Sequence, residues 1–126
     1  MLKENVSRTG VKFVIENVGE AKGDLIRFLA PRTIETLLRA MPINGITALT
    51  KGMVYFEIPV KVGVEKPKTQ AETGTIAYWP ISSALCIFFE KSSTYSPVNI
   101  VGKITDNLEL FRRIGSGKRI RIAKIL

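Results

Sequence analysis

Few residues in this chain combine a reactive group with a setting that could use it. Glu57 is the one acid in the otherwise apolar stretch Met53 to Val60. On a pleated strand it faces either solvent or a groove, where it would anchor a cationic group. Tyr78, Trp79 and Pro80 follow one another just before Ser82-Ser83. An aromatic pair with hydroxyls beside it grips an extended peptide or a flat ligand, in the manner of apolar sites with a few placed polar groups. The alternative for Trp79 is that it plugs a barrel end, its indole N–H bonded to a carbonyl. Tyr55 and Phe89 are further aromatic candidates for the same groove.

Other chemistries are removed by composition. The chain has no histidine, so Cys-His and Ser-His nucleophiles are excluded, as is a histidine metal site. Cys86 is the single cysteine; set within the apolar run Ala84 to Phe89, it reads as a buried hydrophobe. One cysteine permits no internal disulfide, which points to the reducing cytoplasm. Gly115-Ser116-Gly117 precedes a strand rather than a helix and so reads as a turn, not a phosphate loop. No cofactor is expected.

The formal charge is +8, from 19 Lys and Arg against 11 Asp and Glu. Arg112, Arg113, Lys118, Arg119, Arg121 and Lys124 form a C-terminal basic run without an acid. It is either a phosphate-contacting patch or a solvated strand face; no aromatic residue is interleaved for base stacking, which favours the second. The start, Met1 to Asn5, lacks a signal-length apolar stretch, and nowhere do about 18 apolar residues run together. A membrane partner is therefore not expected.

These residues must be positioned by a core, and a chain of 126 residues can bury about two-thirds of the surface it exposes when unfolded. One domain over 1–126 is expected, with 1–10 as a flexible or edge segment. Val11, Phe13 and Ile15 alternate with Lys12, Val14 and Glu16, the period of a half-buried strand. A turn from Val18 to Gly23 leads to a second strand, Leu25 to Leu29. Ile34, Leu37, Leu38 and Met41 then fall on one helical stripe opened by Pro31 and ended by Pro42 and an Asn44-Gly45 turn. Further strands are expected at Ile46 to Leu49, at Met53 to Val62 with an irregularity at Pro59, at Gly74 to Pro80, at Ala84 to Phe89 and at Val98 to Ile104. Glu65 to Gln70 and Ser92 to Pro97 read as loops, the latter long enough to border a site. Asp106, with Glu109 as a capping box, opens a short helix burying Leu110, Phe111 and Ile114. Arg119 to Ile125 closes the count as an alternating strand. Eight strands and two short helices argue for a mainly β closed barrel or sandwich rather than a doubly wound sheet.

Several of these segments resemble the cyclophilin family. Ala30-Pro31-Arg32-Thr33 with Leu37 is similar to the opening of its first helix. Gly74-Thr75-Ile76-Ala77 followed by Phe88-Phe89 resembles its central strands, and Val98 to Ile104 its Val-x-Phe-Gly-x-Val strand. Ala77-Tyr78-Trp79-Pro80 together with Ala84 to Phe89 resembles a small family of archaeal and thermophilic bacterial cyclophilin-like proteins. The resemblance runs from about Val11 to Ile125 and implies a closed eight-stranded cyclophilin-like β-barrel with a surface groove.

The family's isomerase chemistry is another matter. Rotation about an X-Pro bond meets a barrier of roughly 20 kcal/mol, lowered by an apolar pocket for the ring and a donor to the imide nitrogen. In cyclophilins that donor is a strand arginine, with a Gln, a Phe, a Trp and a His nearby. Here the arginine position falls on Phe56 or Glu57, the Gln on Ile87, and the His has no counterpart; only Phe89 carries over, as a pocket wall. The resulting expectation is a binding domain whose groove, lined by Tyr55, Glu57, Tyr78, Trp79 and Phe89, holds a peptide or small ligand without efficient isomerisation. A weak prolyl isomerase is the alternative and nucleic-acid binding through the C-terminal strand a third; homo-oligomerisation stays open.

Overall fold

The computed structural model describes residues 7–125. Ten strands and two helices are defined there: β1 Arg8–Ile15, β2 Gly19–Ile26, α1 Pro31–Ala40, β3 Ile43–Ile46, β4 Ala48–Thr50, β5 Met53–Glu57, β6 Lys68–Ala71, β7 Thr75–Trp79, β8 Ala84–Phe88, β9 Ser92–Asp106, α2 Glu109–Arg113 and β10 Arg119–Lys124. The architecture is mainly β, as expected, with two strands more than the eight anticipated. Residues 8–10 already belong to β1, with Arg8 opposite Ile26; residues 1–6 of the expected flexible segment lie outside the described residues.

All strand pairings are antiparallel, in the order β3-β10-β1-β2-β9-β7-β8-β5-β4, with β6 added to β9 off this path. The two ends of the path, β3 and β4, do not pair with each other, so hydrogen bonds do not close the barrel that the sequence pattern implies. The ends are instead neighbours in the chain, separated by Thr47 alone. Thr47 is buried and fixed to the turn before β10: its N–H donates to Lys118 O (2.8 Å) and its Oγ1 donates to Gly115 O (2.9 Å). Its Oγ1 also accepts from the Lys118 N–H (2.9 Å), and its carbonyl accepts from the Gly117 N–H (2.7 Å). At Gly45 the sheet closes by packing, because a Cβ there would stand 2.8 Å from Phe56 Cδ2 and 3.1 Å from Glu57 O. That demand outweighs the Asn44-Gly45 turn signal, and both residues lie in strand β3.

Alternation sends Val11, Phe13 and Ile15 of β1, Ile120 and Ile122 of β10, and Ile76, Tyr78, Leu85 and Ile87 of the far side into one interior cluster. The helices cap it. α1 starts at Pro31, as its missing N–H allows, and buries Thr33, Ile34 and Leu37 while Glu35 and Arg39 pair outside at 3.3 Å. α2 buries Leu110 and Phe111, the Phe111 ring meeting Phe13 edge-on at 5.6 Å. Leu110 stands over Gly19 at the start of β2, whereas α1 follows the end of β2, so the helices occupy opposite ends. Asp106 is not the cap of α2: it ends β9 opposite Lys22, and no side chain caps that helix.

Between β5 and β6 the chain is irregular but pinned. Ile58 and Val60 enter the interior cluster, and Tyr78 Oη donates to Val60 O (2.7 Å) while accepting from the Val62 N–H (3.2 Å). Further on, the Glu65 carboxylate accepts from the N–H groups of Arg32 (3.1 Å) and Thr33 (2.9 Å) and from Thr33 Oγ1 (2.8 Å). It thereby caps α1 from a distance of 32 residues in sequence. Asn99, fully buried on β9, accepts from the Glu65 N–H (2.7 Å) and donates to Gly63 O (3.0 Å) and Thr33 Oγ1 (3.1 Å). Burial by itself pushes the Glu65 pKa up, but the two backbone donors, the Thr33 hydroxyl and the Arg32 charge hold it below the ordinary carboxylate range.

Candidate functional site

The outward faces of β5, β7 and β8 carry a second apolar cluster, separate from the interior. Register fixes its rows. Tyr55 lies opposite Cys86, Cys86 opposite Ala77, and Ala77 opposite Ile100; in the next row Glu57 lies opposite Ala84 and Ala84 opposite Trp79. The middle of both rows is small, alanine or cysteine, and that leaves room for rings to lie across the strands. The Trp79 ring meets Tyr55 edge-on at 5.6 Å and Tyr95 edge-on at 6.0 Å. Edge-to-face pairs of this kind add about 0.5–1.5 kcal/mol each beyond burial.

The segment over this face belongs to β9 rather than to a loop. β9 runs unbroken for 15 residues, and its first part pairs with β6, placing Lys68 opposite Val98 and Ala71 opposite Ser92. The expected loop at Ser92 to Pro97 is therefore strand throughout, and of that at Glu65 to Gln70 the first three residues are irregular, as expected, and the last three are strand. This two-stranded flap carries Ser96, whose Oγ accepts the Trp79 indole N–H at 2.7 Å. Trp79 is thus held on the outer face by a hydroxyl, neither plugging the barrel nor bonded to a carbonyl. It is 8% exposed, whereas Tyr95 beside it is 86% exposed.

Beneath Tyr95 is a pit of about 90 Å³ lined by Thr50, Lys51, Met53, Trp79, Phe88, Ser93, Thr94 and Tyr95. It opens beside a polar hollow of about 430 Å³ formed by Lys51, Gln70, Glu90, Lys91, Ser92 and Ser93. Cys86 lies under the aromatic rings, fully buried, and burial pushes its thiol pKa far up. It is no nucleophile. Among the described residues no group of three or more acids and cysteines could hold a metal, and no helix is long and apolar enough to cross a membrane.

Of the five residues read from the sequence as one groove, the structure brings three to this face. Tyr55 and Trp79 touch, and Glu57 stands exposed in the row of Trp79. Tyr78 and Phe89 point the other way. Tyr78 is a fully buried interior residue with a structural hydroxyl, and Phe89 packs half-buried on the interior cluster. Phe88, one residue earlier, is the ring on the site's side, since a single step along a strand changes face. Phe56 and Ile87 likewise point inward. Tyr95 and Ser96 were missed as individual residues; the signal available was a tyrosine between hydroxyl residues, within the Ser92 to Pro97 segment already expected to border a site.

Comparison with known proteins follows this geometry. A model of the cyclophilin-like family matches residues 9–123. A hypothetical protein of Archaeoglobus fulgidus, solved in solution, superposes with a TM-score of 0.79 at 24% identity, covering 94% of this chain and 96% of that one. McbB in complex with tryptophan superposes with a TM-score of 0.77 at 15% identity; 90% of this chain is covered, and the chain spans 44% of McbB. A comparison with curated proteins returns no match. With the family model spanning β1 to β10, this chain belongs to the cyclophilin-like family.

Proposed function

We propose that this protein is a binding domain that holds a peptide or small ligand on its outer aromatic face, without efficient prolyl isomerisation. One apolar side chain of the ligand enters the pit beneath Tyr95, and the adjoining hollow of Lys51, Gln70, Ser92 and Ser93 offers hydrogen bonds to the polar remainder. A volume of about 90 Å³ fits a small side chain such as proline or valine rather than a whole drug-sized molecule. Glu57, exposed beyond Tyr55 on the same face, offers a charge to a cationic group.

The observation carrying this reading is an aromatic wall with no guanidinium in the lining of either depression. An isomerase needs a donor aimed at the imide nitrogen of the twisted bond; the cations lining these depressions, Lys51 and Lys91, sit on flexible stems as point charges, and Lys91 is paired with Glu72. The small-ligand form of the reading draws on McbB, a neighbour of like fold seen in complex with tryptophan.

Trp79 is the only tryptophan in the chain, so its emission reports on this face directly. A proline-containing tetrapeptide anilide is expected to change that emission saturably, and Tyr95→Ala to weaken binding roughly tenfold while costing no more than the roughly 1 kcal/mol of its ring pair with Trp79. In a protease-coupled assay the protein is expected to leave the isomerisation rate of the same peptide unchanged. Isomerisation that accelerates with the concentration of this protein, or emission unmoved by peptide, would overturn the proposal.

A further inference from the structure

A separate depression lies on the outer face of β1, β10 and β3. Its volume is about 620 Å³, and its lining is Val14, Glu16, Asn44, Gly45, Ile46, Arg119, Ile120 and Arg121. Register resolves it into two cross-strand rows. In one, Val14 lies opposite Arg121 and Arg121 opposite Asn44. In the other, the Glu16 N–H donates to Arg119 O (3.1 Å) and Arg119 lies opposite Ile46.

The two arginines differ in what surrounds them. Arg119 is paired with Glu16 at 3.8 Å. Arg121 has no ion pair or side-chain hydrogen bond among the described residues. Its cross-strand neighbours, Val14 and Asn44, are both neutral, and the outward residues on either side of Val14 are another cation, Lys12, and Glu16, which is engaged by Arg119. A guanidinium with an open fork of donors, an amide on one side, and aliphatic Val14 and Ile46 around it is complementary to a carboxylate carried on an apolar body. Simple polyanions fit less well. Nucleic-acid strands rely on aromatic platforms for base stacking, and this lining contains none. The volume falls in the range of small-molecule sites.

We infer that the β1–β10–β3 face is a second binding site, specific for a small organic carboxylate with an apolar body, and that Arg121 is the residue that reads the carboxylate. This separates Arg121 from the other arginines of the basic C-terminal run that carry an ion pair, Arg112 with Glu109 and Arg119 with Glu16.

The test is a titration of the full chain, followed by amide chemical shifts, with naphthalene-2-carboxylate and with its neutral counterpart 2-naphthamide. The carboxylate is expected to shift amides of residues 14–16, 44–46 and 119–121 saturably and to bind about tenfold more tightly than the amide. Arg121→Gln removes that preference while leaving the remaining spectrum in place, because the side chain points outward; Arg121→Lys keeps part of it; Arg119→Gln, whose arginine is already engaged by Glu16, changes it less. Tyr95→Ala leaves this binding intact, so failure of the peptide proposal and failure of this one are distinguishable. Equal affinity for the two probes, shifts centred on another face, an unchanged preference in Arg121→Gln, or polyuridylate competing away the carboxylate at equal charge concentration would each overturn the inference.

Discussion

Glu65 shows how one residue ties the irregular connection to the rest of the protein. Its carboxylate replaces the side-chain N-cap that Ala30 cannot supply to α1. Such a cap stabilises by about 1 kcal/mol, and partial exposure keeps the figure from being larger. Because the donors lower its pKa in the folded protein from the ordinary 4.5, the stabilisation is complete above that value and is lost as pH falls through the depressed folded pKa. Urea denaturation of Glu65→Gln is therefore expected to show a deficit of about 1 kcal/mol at pH 7 that closes at strongly acidic pH. A deficit independent of pH would contradict the charge-based cap. Nothing near Glu65 in sequence indicates this role, since its partners Arg32, Thr33 and Asn99 are brought to it by the fold alone. Trp79 and Tyr55 were legible because aromatic residues stand out on a strand; Phe88 against Phe89 was not, because an entirely apolar run gives no alternation from which to assign faces.

Among the elements, β9 has the largest structural task, pairing with β2, β7 and β6 in turn and crossing from the barrel wall to the flap over the aromatic face. It makes these turns at irregularities between Lys22 and Gly23 and between Ile76 and Ala77 on its partners, as bulges permit. Gly102 lies between them, and a Cβ there would run into the Asp24 carbonyl and approach Leu25 Cα at 3.0 Å. The obstruction is backbone, which no rotamer change relieves. Gly102→Ala is expected to cost about 1–3 kcal/mol in thermal or denaturant unfolding, whereas Gly115→Ala, whose Cβ would meet nothing within 4 Å, is expected to be tolerated. Equal stability of the two variants would refute this account of the β2–β9 crossing. β1 and β10 were readable from strict alternation, and α1 from its stripe and Pro31. β6 and the start of β9 were not, because they are polar strands paired to each other over a second layer, with Pro97 and a run of hydroxyl residues imitating a loop. Gly19 to Gly23 read as a turn for a similar reason: small residues selected for close strand contact carry the same composition as a turn.

At the scale of the molecule, the sheet wraps a filled interior and leaves two outer faces with different characters. One is aromatic and flap-covered, around Tyr55, Trp79 and Tyr95; the other is open and arginine-bearing, around Arg119 and Arg121. The sequence pattern was sufficient for the mainly β class and the two capping helices, but not for the seam. Closure at Thr47 and Gly45 depends on contacts between strands whose pairing partners lie elsewhere in the chain. The net charge of +8 favours the approach of anionic ligands to the molecule as a whole. The central claim is that ligand binding belongs to the aromatic outer face while Tyr78 and Phe89 serve the interior. Amide chemical-shift mapping of the full chain with the proline tetrapeptide tests it most directly. The account predicts saturable shifts confined to residues 50–55, 70, 77–79, 86–88 and 92–96, retained in Tyr78→Phe and reached only at roughly tenfold higher peptide concentration in Tyr95→Ala; shifts centred on Phe89 and the α1 end, or binding undiminished by Tyr95→Ala, would contradict it.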